Sequence, residues 1–406
     1  MGSSCSEYIH GYCDDVFNGV REEFILNFQE RGEIGAGIAI YLDGKLVVDL
    51  WGGVADTATG RPWEQDTMTV VFSATKGMAA TCVHMLADRG LLDFDEPVAT
   101  YWPEFAANGK DGITVATALS HQAGIPAWQA EDLPHGAFHD FDFVAQRLAV
   151  EAPVWEPGTA HGYHAVSIGV IEGELVKRIT GGSIGTFLRN EVARPLNADI
   201  WIGLPESEAH RVATVYLSEP NPESPLMRKL NGDPEWFGWK LITNSGGDLD
   251  FINSRVRHAA EIPASGGIAS ARGLARLYSP LSRDGAVDGV RLVRREALHA
   301  MGTIRSASDC DLILGIPTTF TLGFSKSWGS RRLGSGEHVI LGESAFGTPG
   351  MGGSMGFADA DARMSFGYVM NRHGSGVGLN ERCQSLIDAA YRALGFGSSA
   401  PGFWVR

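Results

Sequence analysis

The 406-residue sequence predicts an α+β fold in which both ends of the chain supply one antiparallel sheet around a mostly helical insertion. Three observations carry this. GAGIAIYLDGKLVVDLWGG (35–53) is a pair of apolar runs around Asp43-Gly44, a strong short-range hairpin signal. Strand-like periodicity returns only after about residue 318. Between 97 and about 260 the pattern is helices and long loops.

The elements follow in order. Val16, Val20, Phe24, Ile25 and Phe28 recur at helical spacing and predict a helix over 11–31. The hairpin comes next. A helix runs from Ser73 to Arg89 and stops at Gly90. AVSIGVIEGELVKRITG (165–181) is the clearest helix of the insertion, and GGIASARGLARLYSPLS (266–282) is another, opening after a glycine pair. Strands are expected at 318–328, 337–345, 353–359 and 363–371, and a last helix at 379–394. The sheet is thus flanked by N- and C-terminal helices. The expected division is 1–72 plus 270–406 for the sheet unit and 73–269 for the helical one, with the active site between them.

Composition narrows the function. A net charge of −15 with no long basic run argues against a nucleic-acid surface. No run approaches the roughly 20 apolar residues of a membrane span. The N-terminal MGSSCSEYIHGYCDDVF has neither the basic nor the apolar region of a signal peptide. Five scattered cysteines without C-x-x-C fit a reducing, cytoplasmic setting and no zinc site. Among the 12 histidines only His135 and His139 stand four apart, in a polar stretch read as surface, so no metal and no cofactor are expected. Glycine is about 13% of the chain against a usual ~7% and clusters at 342–356 and 371–378, as around a closely packed site.

VFSATKGMAA (71–80) holds the chemistry. A lysine in the first turn of a helix meets the positive end of the helix dipole, a disfavoured place for a cation. Ser73 and Lys76 stand three apart on one helix face, so the amine and the hydroxyl can meet. The same field, with burial, lowers the lysine pKa and makes a neutral amine available as a base beside a nucleophile.

Other stretches accompany this pair: LSHQAGI (119–125), EPGTAHGYHAVSIGVIEGELVKRITG (156–181), SGGIASARGLARL (265–277) and FGTPGMGGSMGFADADARMSFGYVMNR (346–372). In this order the chain resembles the serine hydrolases related to class C β-lactamases and penicillin-binding DD-peptidases, and is most similar to family VIII carboxylesterases. The resemblance covers about residues 10–395. It implies a β-lactamase/DD-peptidase-like fold and three motifs. S-x-x-K matches Ser73-Ala74-Thr75-Lys76. Y-x-N matches Tyr163-His164-Ala165, without the Asn. The third, K-T-G in the lactamases, matches Thr348-Pro349-Gly350 and keeps only the Gly.

On this reading Ser73 attacks an acyl carbon, Lys76 takes or controls its proton, and Tyr163 relays a proton to the leaving group, its phenol drawn toward the anionic form by the Lys76 ammonium. The Ser73 and Met351 N–H groups are the candidate oxyanion donors. His164, Thr348, Gly350 and Trp239 are candidate substrate contacts. His161 is a polar neighbour of the tyrosine, and Trp155 and Trp236 are further candidate walls. Gly352-Gly353-Ser354-Met355-Gly356 is a literal G-x-S-x-G, followed by Asp359, Asp361 and His373. A nucleophile elbow needs strand, turn and then helix; here strand follows, which argues against Ser354. The favoured activity is hydrolysis of small neutral carboxylic esters through an acyl-serine. Alternatives are an acyltransferase or amide hydrolase, then a β-lactamase or DD-peptidase in which Arg372 replaces the missing cation, then a non-catalytic binding module.

Overall fold

The computed structural model describes residues 9–219, 221–233, 236, 240, 249–330, 336–399 and 402–406. Six strands form the main antiparallel path, in the order Ile9–Cys13, Lys45–Asp56, Gly35–Leu42, Met364–Met370, Met355–Asp359, Phe346–Pro349. The short strand Arg61–Pro62 pairs beside Lys45–Asp56. The turn between the first hairpin strands has positive φ at both Asp43 and Gly44, the backbone a two-residue type I′ turn requires.

Strand periodicity explains the two faces. Ile38, Ile40, Phe357, Phe366 and Tyr368 point to one side, where Val20 and Phe24 of helix Asn18–Gln29 and Leu386 and Ile387 of helix Glu381–Ala393 cover them. Each such burial contributes about 1.5–3 kcal/mol. On the other face stand Gly37, Ala39, Gly356 and Gly367, which let helix Ala271–Tyr278 lie close to the sheet. Beyond it lies a central helix, Thr75–Asp88, whose residues 75–86 are all buried, packed against Ser167–Thr180. Such a helix is expected to be apolar all round, which makes the Lys76 in its first turn conspicuous.

The predicted α+β fold with an antiparallel sheet is the one found, with local differences. The first predicted helix begins only at Asn18, because Ile9–Cys13 pairs along the sheet edge; Val16 is exposed. The helix after Gly266-Gly267 starts at Ala271, capped by Ser270 on Gly273 N–H, because Ile268–Ala269 first pairs with Thr69–Val70. The stretch 337–345 is not a strand of the sheet. Its apolar residues Val339, Ile340 and Leu341 are buried, and the Gln384 side chain bonds both N–H and C=O of Ile340 in place of a neighbouring strand. The edge strand is instead Phe346–Pro349. No described helix is long and apolar enough to cross a membrane.

Candidate active site

The central helix is entered through a tight turn, Phe72–Ala74. Phe72 has φ +44°, rare for a bulky residue. The turn is held from outside. Val71 N–H donates to Gly267 O (2.9 Å), Gly267 N–H to Thr75 Oγ1 (2.8 Å) and Ser354 Oγ to Val71 O (2.9 Å). These bonds present Ser73, half-buried, at the start of the helix.

Lys76 is 1% exposed. Its Nζ donates to Ser73 Oγ (3.2 Å), to Ala165 O (2.6 Å) and to Ala264 O (3.0 Å). Burial pulls its pKa down to about 7, and the carboxyl of Glu172 acts against that fall. Glu172 is itself fully buried, its two oxygens lack a hydrogen bond among the described residues, and burial raises its pKa well above the carboxylate range. The neutral amine expected from the sequence is therefore accessible near neutral pH.

Tyr163 lies beside the same amine, with Lys76 Nζ 4.8 Å from its ring centroid. Three consecutive backbone N–H groups fix it. Gly162 N–H donates to His121 O (3.2 Å), Tyr163 N–H to Asp311 Oδ1 (3.0 Å) and His164 N–H to His121 Nδ1 (3.0 Å). Asp311 is wholly buried and also accepts from Ile313 N–H, Leu314 N–H and Thr318 Oγ1. One expectation is corrected here. Burial pushes the Tyr163 phenol up, outweighing its link to Ser73, so the resting phenol holds its proton and is not drawn toward phenolate.

Several sequence candidates fall elsewhere. His164 is not free to touch substrate: Nδ1–H donates to Gly162 O (2.7 Å), Nε2 accepts from Ile125 N–H (3.1 Å), and burial holds its pKa near 4. His161 bonds Thr318 Oγ1 (2.9 Å) beside Asp311. Thr348 is 2% exposed, its hydroxyl shut away toward Gly77 and Tyr278 behind the serine turn. Trp239 lies outside the described residues. Trp155 stands edge-on to His164, and Trp236 packs with Tyr163 on Ile313, Leu314 and Ile316. Arg372 donates to Gly32 O (2.6 Å), away from the serine. Ser354 is buried and opens strand Met355–Asp359, as its following sequence implied. Asp359 is occupied by Ser344, Tyr391 and Ala362 N–H.

Met351 follows the edge strand in a turn. Its carbonyl meets His373 Nδ1 at 3.0 Å, and no described group accepts its N–H. Gly350 permits this approach: a Cβ there would lie 2.1 Å from Ser354 Oγ and 2.2 Å from Val71 O.

With this geometry in view, comparison with known proteins is decisive. The profile of the Beta-lactamase family matches residues 22–390. The chain belongs to the β-lactamase family. It is 35% identical over 386 residues to Esterase/beta-lactamase LipL of Mycobacterium tuberculosis, covering 91% of this chain and 85% of LipL. Its structure is similar to that of a family VIII carboxylesterase (TM-score 0.84, 38% identity, 95% of this chain and 99% of the other). It is also similar to a penicillin-binding protein homolog from Caulobacter crescentus (TM-score 0.81, 36% identity, 95% and 99%).

For a β-lactamase-family chain, the residues that sequence reasoning missed are those acting through backbone or burial: Ala165 O, Ala264 O, His121, Asp311 and Glu172. The first two cannot be read from residue type. Glu172 had a signal, an acid directly after the apolar run SIGVI. Gly350→Ala is expected to cost about 1–3 kcal/mol through overpacking, read as a lower urea midpoint. An unchanged midpoint would show that the strand yields freely.

Proposed function

We propose that this chain is a serine esterase that hydrolyses small neutral carboxylic esters through an acyl-serine on Ser73. The observation carrying the proposal is the buried Lys76 amine 3.2 Å from Ser73 Oγ, with a pKa near 7. Ser73 Oγ attacks the ester carbon while neutral Lys76 takes the hydroxyl proton. The carbonyl oxygen becomes an oxyanion received by the Ser73 and Met351 N–H groups; one such donor is worth about 2.7–4 kcal/mol. As the C–O bond breaks, the Tyr163 phenol protonates the departing alkoxide and regains a proton from the Lys76 ammonium. Water then attacks the acyl-serine, its proton following the same path, and releases the acid and Ser73.

The substrate class follows from what stands around the serine. Thr348-Pro349-Gly350 supplies no cation, and Arg372 is committed to Gly32 O. A charge-assisted hydrogen bond is worth about 1.5–3 kcal/mol, so an anionic β-lactam loses roughly 10–100-fold where none is offered. The names of relatives, an esterase/β-lactamase and a carboxylesterase, support the ester reading. The proposal retains the division into a sheet unit (1–72 plus 270–406) and a helical unit (73–269) with the site between them. It also retains a reducing, cytoplasmic setting, supported by free thiols at Cys13, Cys82, Cys310 and Cys383.

Ser73→Ala is expected to abolish p-nitrophenyl butyrate turnover and labelling by a fluorophosphonate, whereas Ser354→Ala keeps its labelling. The reverse pattern would move the nucleophile to Ser354. On one preparation, kcat/KM for p-nitrophenyl butyrate is expected to exceed that for nitrocefin by about tenfold or more. Nitrocefin equal to or above the ester would favour β-lactam hydrolysis.

A further inference from the structure

The glycine cluster at 371–378 has no part in the chemistry above, yet it builds one wall of a second feature. Gly376 (φ +104°) lies against Gly336: a Cβ on Gly376 would stand 2.7 Å from Gly336 O, and one on Gly336 would stand 2.6 Å from Ser375 O. Gly336 N–H donates to Leu379 O (2.9 Å) and Leu379 N–H to His338 O (2.8 Å). Backbone contact at this density clamps the residue between them, Glu337. A cavity of about 230 Å³ opens beside it, with apolar walls from Leu217, Leu226, Met227, Met351 and Val377. Two of those walls reach the candidate active site. Met351 carries the proposed oxyanion N–H, and Val377 packs on the Ile313–Leu314–Ile316 cluster that Tyr163 also touches.

Glu337 is 8% exposed and lines this cavity. It has no hydrogen bond and no ion pair among the described residues. A carboxylate partly withdrawn from water without a partner is costly, and a cation entering the cavity that Glu337 lines would relieve that cost. We infer that this cavity is a substrate subsite that takes an apolar arm ending in a cation, with the Glu337 carboxylate as its counter-charge. The inference rests on the esterase reading of Ser73 and revises its substrate class: of two esters of one shape, the one whose arm carries a cation is preferred over its neutral isostere. Burial alone raises the Glu337 pKa, to about 6, so the group is still mostly ionised at about pH 8 and able to pair. The apolar walls suit a trimethylammonium or similar weakly hydrated head, and the same carboxylate repels an anionic arm.

The arm can sit on the alcohol or on the acyl side of the ester, and isosteric pairs distinguish the two. Acetylcholine against 3,3-dimethylbutyl acetate tests the alcohol side. p-Nitrophenyl 4-(trimethylammonio)butanoate against p-nitrophenyl 5,5-dimethylhexanoate tests the acyl side, and a quaternary head cannot cyclise onto the ester. In at least one pair the cation-to-neutral ratio of kcat/KM is expected to fall about tenfold or more in Glu337→Gln relative to wild type, in the range of coupling for close charge pairs. The ratio is internal to each preparation, so a partly misfolded variant does not move it. Ratios unchanged within about twofold in both pairs overturn the inference and leave the esterase reading standing. Loss of turnover on all four esters in the wild type would instead refute the esterase reading. Saturation-transfer NMR of the same pairs on Ser73→Ala protein, with and without the added Glu337→Gln substitution, then decides the subsite without turnover. Cation-selective binding that Glu337→Gln removes supports it, and equal binding overturns it.

Discussion

Everything at this site depends on a lysine amine held out of water. Lys76 stands in the first turn of a helix that is buried along nearly its whole length, and desolvation is the largest influence on its titration. In solvent the amine would be an ammonium and useless as a base at neutral pH. Here two backbone carbonyls, Ala165 O and Ala264 O, accept from it without supplying a full negative charge. The acid coupled to it, Glu172, is buried deeply enough to resist ionisation itself. The environment therefore orients the amine toward Ser73 while leaving its proton easy to lose.

The rest of the fold keeps that arrangement rigid. Strand Ile268–Ala269 and the Ser354 hydroxyl hold the serine turn from two directions. Tyr163 is set by His121 and by the buried Asp311, which bond the backbone around it and leave its phenol free for the site. Polar groups in the surroundings, such as His164, are consumed by backbone contacts and kept neutral by burial. A site so arranged has few spare charges near the serine, which suits uncharged carbonyl substrates. The Glu337 carboxylate sits across the Met351 wall, where it can select among substrates without disturbing the base.

Much of this was legible in the residues. The Asp43-Gly44 hairpin, the helices ending near Gly90 and Gly181 and the apolar alternation of Met364–Met370 read directly, because short-range periodicity and turn chemistry decide them. Ser73 with Lys76 read because a cation in a first helical turn defies helix electrostatics. The stretch 337–345 misled because buried apolar residues look alike whether a continuous strand or a patchwork satisfies their backbone: here single bridges at Val339 and Gly342 and the Gln384 amide at Ile340. Thr348 and His164 were misplaced as substrate contacts for a related reason: type and spacing show that a polar group is near a site, not which way it faces. The Tyr163 proton state was misread because the sequence showed a nearby cation but not the depth of burial that outweighs it.

The central claim is that Lys76 gives up its proton near neutral pH, and it can be read without substrate. In protein carrying 13Cε-lysine, the Lys76 resonance is identified by its loss in Lys76→Arg and followed with pH. The account predicts a midpoint near 7. A midpoint near the ordinary lysine value of about 10.4 would contradict it and leave the proton of Ser73 without its acceptor.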